Sequence, residues 1–184
     1  MKIAFMGVSG SGKDFLADYL ISNYNFIRLS FSDQLKKLSK FIYPWMEEDY
    51  PSERKALPLN ITLPTGELIH HTPRDIWLNL NSLRKIENKI FIRMLSSEMT
   101  LLEKNNTSKI NIIITDIRSN EEFLWCKENY FTVIYINRTK NDYKKYPIDK
   151  HVIENKSKTD YQFDNDTNGT TRFKSFFDKV LCGE

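Results

Sequence analysis

Residues 7–14 read Gly-Val-Ser-Gly-Ser-Gly-Lys-Asp, with three of the chain's six glycines inside six positions. This spacing lets successive backbone N–H groups curl around an anion, because glycine accepts the positive φ angles and the close approach that a curl needs. A lysine at its end adds a mobile positive charge, and a helix starting there adds the positive end of its dipole. The predicted chemistry is the grip of a polyphosphate by Gly7, Ser9, Gly10, Ser11, Gly12, Lys13 and Asp14. The segment fits the phosphate-loop pattern G-x-x-x-x-G-K-[ST] at every constrained position but the last.

That last position holds Asp14, where a Ser or Thr hydroxyl would sit on Mg²⁺. A bare carboxylate ~4 Å from a phosphate charge costs up to about 4 kcal/mol at an effective dielectric near 20. Asp14 therefore either ligates the metal, directly or through water, or turns away to the helix N-terminus. A second carboxylate, Asp116, ends the apolar run Ile-Asn-Ile-Ile-Ile-Thr-Asp. At the carboxyl edge of a parallel sheet it would face the same crevice as the loop and serve the metal. The other reading makes Asp116 a cap for the helix starting near Ser119.

Arg118 follows two residues later and suits a phosphate, since a guanidinium offers two parallel charge-assisted hydrogen bonds. Arg74 is a second candidate, with Arg84 and Arg93 behind it. Residues 138–158 carry Arg138, Lys140, Lys144, Lys145, Lys150, Lys156 and Lys158, either a solvated loop or a lid over phosphates. His70 and His71 are adjacent and lack the partner spacing of a zinc site. Trp45, Trp77 and Trp125 are expected to pack rather than to stack bases.

The elements that must position these groups follow from periodicity. Residues 2–6 suit a buried strand, and a helix from Lys13 places Phe15, Leu16, Tyr19 and Leu20 on one face. FIRLS reads as a strand and the next segment as a helix with Leu35, Leu38, Phe41 and Ile42 in register. Residues 44–66 hold four of the six prolines and read as an irregular excursion, extending to about residue 71. Thr72-Pro73-Arg74-Asp75 is a helix start with a capping box. Helical register runs through Ile76, Leu80 and Leu83, and again from Ile90 to Leu102. The β-branched run at 110–116 reads as a central strand, 121–128 as a helix and 131–137 as a strand. Residues 138–160 are polar and loop-like, YQFDN is a last short strand, and 170–182 a closing helix. Alternating strands and helices predict one α/β domain over 1–184, a three-layer phosphate-loop fold with a mainly parallel sheet.

Composition sets bounds. The 184 residues carry a net charge of +3, too mild for nucleic-acid binding by bulk electrostatics. No run approaches the ~20 apolar residues of a membrane span, and no signal peptide is evident. Cys126 and Cys182 lack metal spacing, so a reduced, cytoplasmic protein is expected.

In order, GVSGSGKD, LSFSDQLKKL, TPRDIWLNLNSLR, IIITDIRSNEE, HVIEN and DNDTNGT resemble the phage-type deoxynucleoside monophosphate kinases, over most of the chain but least at 44–71. That family commonly carries SGKD in its loop. The resemblance implies an ATP-dependent phosphotransferase with Mg²⁺, acting on a deoxynucleoside monophosphate and giving ADP and a deoxynucleoside diphosphate. It implies Lys13 on the donor phosphates and Asp116 near the metal, with Arg118 and Arg74 on the acceptor phosphate. Asp33 and Lys36 would lie beside the acceptor pocket, and Asn165 and Thr167 on the adenine side. His151 and Glu154 match a lid element with Arg138, although Ile153 stands where the family has serine. Homodimers are also implied, and the richness in Asn, Lys and Ile in so compact a chain suits a viral source and host cytoplasm. Animal-type phosphomevalonate kinases are similar too, sharing SGKD and D-x-R. A GTPase is excluded: Asp116 is not followed by the glycine of D-x-x-G, and Asn155-Lys156 is not followed by the aspartate of N-K-x-D. A phosphate-loop module without transfer activity is the other class left open.

Overall fold

The computed structural model describes residues 1–51, 53–138, 149–167 and 169–183. The chain opens with β1 (Lys2–Met6), α1 (Lys13–Tyr24) and β2 (Phe26–Leu29). There follow α2 (Phe31–Ile42), β3 (Ile61–Thr62), β4 (Leu68–Ile69), α3 (Pro73–Asn81) and α4 (Ile90–Asn105). The chain continues through β5 (Asn111–Ile117), α5 (Asn120–Glu128), β6 (Thr132–Asn137), α6 (Lys150–Glu154), β7 (Tyr161–Asp164) and α7 (Thr171–Phe176). It falls into two compact units, residues 1–30 with 97–184, and residues 31–96.

In the first unit the strands form one sheet in the order β2-β5-β1-β6-β7, with every pair parallel. The strand predicted to be central, β5, is interior and lies beside β1, which holds the middle. Side chains alternate across a strand, so Ile3 and Phe5 share one face with Ile113, Ile134, Ile136 and Phe163. That face packs on Leu16, Ala17 and Leu20 of α1 and on Phe173 and Phe177 at the closing helix. The opposite set, Ala4, Met6, Ile112, Ile114, Val133 and Tyr135, is buried as well. Being covered on both faces explains the continuous apolarity of β1, β5 and β6. The fold is α/β, three layers about a parallel sheet.

Local signals fix the element ends. Asn25 closes α1 in the left-handed region (φ 53°), which asparagine tolerates better than most residues. Ser119 caps α5 through Glu122 N–H while the Glu122 carboxylate accepts from Ser119 N–H, a complete capping box.

Within residues 31–96, Thr72 caps α3 with Asp75 as its reciprocal partner, as predicted. Met46, Tyr50 and Ile76 form a small core against Tyr43, Trp45, Leu59, Trp77 and Leu80. The stretch read as irregular contains a two-stranded hairpin, Ile61–Thr62 against Leu68–Ile69. Its turn is closed by Gly66 N–H on Leu63 O, with Gly66 at φ 85°. The Pro64-Thr65-Gly66 triplet is turn chemistry that the proline count obscured.

Three expectations need correction. On α1 the buried apolar side chains are Leu16, Ala17 and Leu20, while Phe15 is half exposed. On α2 the buried ones are Phe31, Gln34 and Ser39, and Phe41 is 86% exposed with Ile42 also out. Trp77 Nε1 donates to Ser39 Oγ, so a polar partner fixes which face of α2 is covered. The described part of the predicted 138–160 loop is helical, with α6 followed by a 3₁₀ turn at Lys156–Lys158. Val152 and Asn155 are buried and anchor it.

Candidate active site

In a parallel sheet all carboxyl ends lie along one edge, and ligands of such folds bind there. The loop after β1 carries residues 7–12, and the end of β5 carries Asp116 and Arg118. Arg138 follows β6 directly, and Asn165 follows β7. One edge of the first unit thus gathers the candidate groups from four chain segments.

Ser9 and Gly10 make the turn of the loop, and Ser11 N–H closes it on Val8 O at 3.2 Å. Gly12 is at φ 88°, a conformation that strains an L side chain, and a Cβ there would collide with the Asn165 amide. A Cβ on Gly7 would run into Ile136 O of β6. The loop therefore packs directly on the neighbouring strand.

Lys13 is 6% exposed, and its Nζ donates to Gly7 O at 2.8 Å, Val8 O at 2.9 Å and Ser11 Oγ at 3.3 Å. Burial lowers its pKa to about 8, helped by the nearby Arg118 guanidinium and opposed by Asp14, Asp149 and Asp116. Among the described residues this buried ammonium is held by carbonyls and a hydroxyl, which compensate it poorly, and an arriving anion would be strongly favoured.

Asp116 Oδ2 accepts from Ser30 Oγ at 2.8 Å. The pairing of β1 with β5 slips between Ala4 and Met6, a bulge that brings Thr115 and Asp116 opposite Phe5 and re-aims the carboxylate. Asp116 is not a helix cap, because Ser119 fills that place. Asp14 is exposed in the first turn of α1. Among the described residues no group of three or more His, Cys, Asp or Glu side chains could hold a metal. One or two carboxylates completed by substrate phosphates is, however, the way Mg²⁺ is usually held, and the donor set fits that pattern.

Arg118 Nη1 donates to Asp149 Oδ1 at 2.8 Å, and Asp149 is 2% exposed. Its backbone N–H is tied to Glu122 Oε2, so the capping box of α5 fixes the residue's base. Asp149 escaped the sequence reading. A lone acid in a polar stretch, 31 positions from its partner, leaves no local signal.

Asn165 is nearly fully buried, and its Nδ2 donates to Ser11 O at 2.9 Å. Its amide holds the phosphate loop. Thr167 is exposed and lines, with Gly12, Phe15, Arg138, Asn165 and Gly169, a cavity of about 380 Å³. Of the lid residues, His151 and Glu154 pair with each other at 3.1 Å on α6. Lys140, Lys144 and Lys145 lie outside the described residues. A further cavity of about 390 Å³ is lined by Met1, Lys2, Ile110 and Tyr130 among others, residues that open strands or precede them. That is the amino edge, at the other end of the strands from the candidate site.

Within residues 31–96, Lys36 bridges Asp33 at 3.1 Å and Asp49 at 3.3 Å, and Lys55 reaches Asp49 at 3.4 Å. Burial pushes the Asp49 carboxyl up, but Tyr50 N–H, Lys36 and Lys55 outweigh it and hold the group below its ordinary value. Both lysines lie over the Trp77 ring. Arg74 is exposed in the first turn of α3. Arg84 lies over Phe91, and Arg93 pairs with Glu87. Trp125 packs on Phe131, and Trp45 on Tyr43. Cys126 is fully buried, which pushes its thiol up and makes it unreactive.

The sheet order and the loop after β1 define the class: a three-layer phosphate-loop α/β fold. Among solved structures, the dephospho-CoA kinase from Campylobacter jejuni superposes with a TM-score of 0.51 at 20% identity, over 99% of this chain and 96% of that one. At this identity the likeness speaks for the fold alone. No family model and no curated protein matches the sequence. No helix among the described residues is long and apolar enough to cross a membrane.

Proposed function

We propose that the chain is an ATP-dependent kinase that moves the γ-phosphoryl group onto a deoxynucleoside monophosphate, releasing ADP and a deoxynucleoside diphosphate. The observation that carries this reading is Lys13, a buried ammonium with lowered proton affinity inside a glycine turn, in the field of Arg118, Asp116 and Asp149. The fold of the superposed kinase and the ordered resemblance to the phage-type enzymes support it.

In this reading Lys13 leaves the Gly7 and Val8 carbonyls for the β- and γ-phosphate oxygens, while the loop amides and the α1 dipole hold the rest of the chain of phosphates. Arg118, aimed by Asp149, grips the acceptor phosphate and sets one of its oxygens in line with the γ-phosphorus. Asp116, with Asp14 beside the loop, would hold Mg²⁺, which supplies neutralisation of the phosphate charge. Asp33, Lys36 and Arg74 take part in acceptor binding, Arg138, His151 and Glu154 act in a lid, and Asn165 and Thr167 lie on the ATP side. These assignments rest on the resemblance. A homodimer rests on it too, whereas a single functional domain is read from the alternation of strands and helices, and a cytoplasmic place of work from Cys126 and Cys182.

A second reading keeps the donor site and changes the acceptor, because the superposed structure is a dephospho-CoA kinase. The test is ADP release from ATP and magnesium with dGMP, dTMP, dCMP, dAMP, phosphomevalonate or dephospho-CoA. Turnover with at least one deoxynucleotide is expected. Turnover confined to phosphomevalonate or dephospho-CoA would replace the acceptor. ATP binding without transfer to any would leave a binding module.

A further inference from the structure

Helical periodicity puts Phe15 in the core of α1, and the structure leaves it 50% exposed. A single exposed apolar side chain needs no explanation by itself. Phe15, however, lines the cavity of about 380 Å³ that includes Gly12 of the phosphate loop, together with Arg138, Asn165 and Thr167. Such a volume lies within the range of small-ligand clefts, roughly 300–1,000 Å³. One hydrogen of the Asn165 amide is bound to Ser11 O, so the side chain is held against the loop, with its second N–H and its Oδ1 not used in that bond. The lining thus sets one aromatic ring and one guanidinium beside the polar Asn165 and Thr167. The ring and the guanidinium are the groups that recognise a flat π-system.

We propose that Phe15 is the platform on which the base of the nucleoside triphosphate donor stacks. The inference rests on the kinase reading and adds to it the residue that selects the donor. Because every base has a π-face, recognition by stacking is tolerant of edge chemistry and follows ring size. ATP, dATP and GTP should then bind within a few-fold of one another, with CTP and UTP weaker.

The experiment is calorimetric titration of the wild type, Phe15→Ala and Phe15→Trp with magnesium and either ATP or inorganic tripolyphosphate. Phe15 is half exposed, so the substitutions leave the core intact, and a circular-dichroism melt checks this. The expected result is ATP binding weakened about tenfold or more in Phe15→Ala, with tripolyphosphate binding unchanged. Phe15→Trp should restore ATP binding and show indole quenching on saturation by ATP. Wild-type ATP affinity in Phe15→Ala would overturn the platform and leave the phosphate site standing. Equal weakening toward ATP and tripolyphosphate would also overturn it, since the side chain would then act on the loop and not on the base. A wild type that binds neither ligand would overturn the phosphate reading and the platform with it.

Discussion

The carboxyl edge of the parallel sheet and the unit of residues 31–96 treat charge in opposite ways. At the sheet edge Lys13 and Asp149 are almost out of solvent, and each is held by groups distant in the chain or by the loop backbone. In residues 31–96 the network of Asp33, Lys36, Asp49 and Lys55 is partly exposed, and Arg74 lies in solvent. Buried charges must be fixed by their surroundings, whereas exposed pairs are screened and contribute roughly 0–1 kcal/mol. The first region fixes its charges at the expense of stability, which is the preorganisation that the proposed site requires. The second holds its fold by aromatic packing and helix caps, leaving its charged side chains adaptable.

The largest break in that contrast comes at Lys13. Lys13→Ala should lower kcat by about 10³-fold or more, read by ADP release, because the charge on the donor phosphates is lost. The same position should show the opposite sign in stability. The pKa of Lys13 in the fold, about 8, lies below the ordinary 10.5. Its favourable contribution is therefore complete above pH 10.5 and lost as pH falls through about 8. At pH 7 the charged form costs the ligand-free fold about 3 kcal/mol. Lys13→Met should accordingly stabilise the protein at that pH by roughly 1–3 kcal/mol in urea, and a loss of stability would contradict the cost assigned to the buried ammonium.

Next in size is Arg118. Replacement by Lys should reduce kcat/KM by about 10²-fold, since one ammonium cannot reproduce the two-pronged grip. Asp149→Asn should raise the acceptor KM by about tenfold through the loosened guanidinium and add little to Arg118→Lys. Near-normal kinetics for Arg118→Lys would remove that residue from the site.

The pH dependence is smaller. Lys13 is charged below pH of about 8 and loses its proton above it. The Kd for ATP should be flat below that pH and rise by up to about tenfold per unit above it. Proton uptake on binding should appear there in calorimetry with buffers of different ionisation enthalpy. A flat Kd up to pH 10 would separate Lys13 from phosphate binding.

The smallest effect belongs to residues 31–96. Thr72→Ala removes the α3 cap and should lower unfolding free energy by about 1 kcal/mol, leaving the Kd for ATP unchanged. An altered ATP affinity would erase the distinction between the two regions.

What could be read from the sequence divides along the same physical line. The phosphate loop and the α3 capping box are local, encoded in residue types within a few positions, and the α/β order follows from periodicity. Asp149, the Asn165 strut and the half-exposed Phe15 are products of tertiary placement. Periodicity says that α1 and α2 have apolar stripes but not which neighbours exist to cover them. Phe41 and Ile42 consequently sit in solvent, while Ser39, held by Trp77, is buried. The hairpin turn at Pro64-Thr65-Gly66 was legible in principle, its signal hidden among surrounding prolines.

A crystal structure with ATP and magnesium addresses the central claim most directly. The account predicts the amides of residues 9–14 on the β- and γ-phosphate oxygens, with Lys13 Nζ moved off the Gly7 and Val8 carbonyls onto them. A nucleotide bound elsewhere, with Lys13 still on those carbonyls, would contradict it.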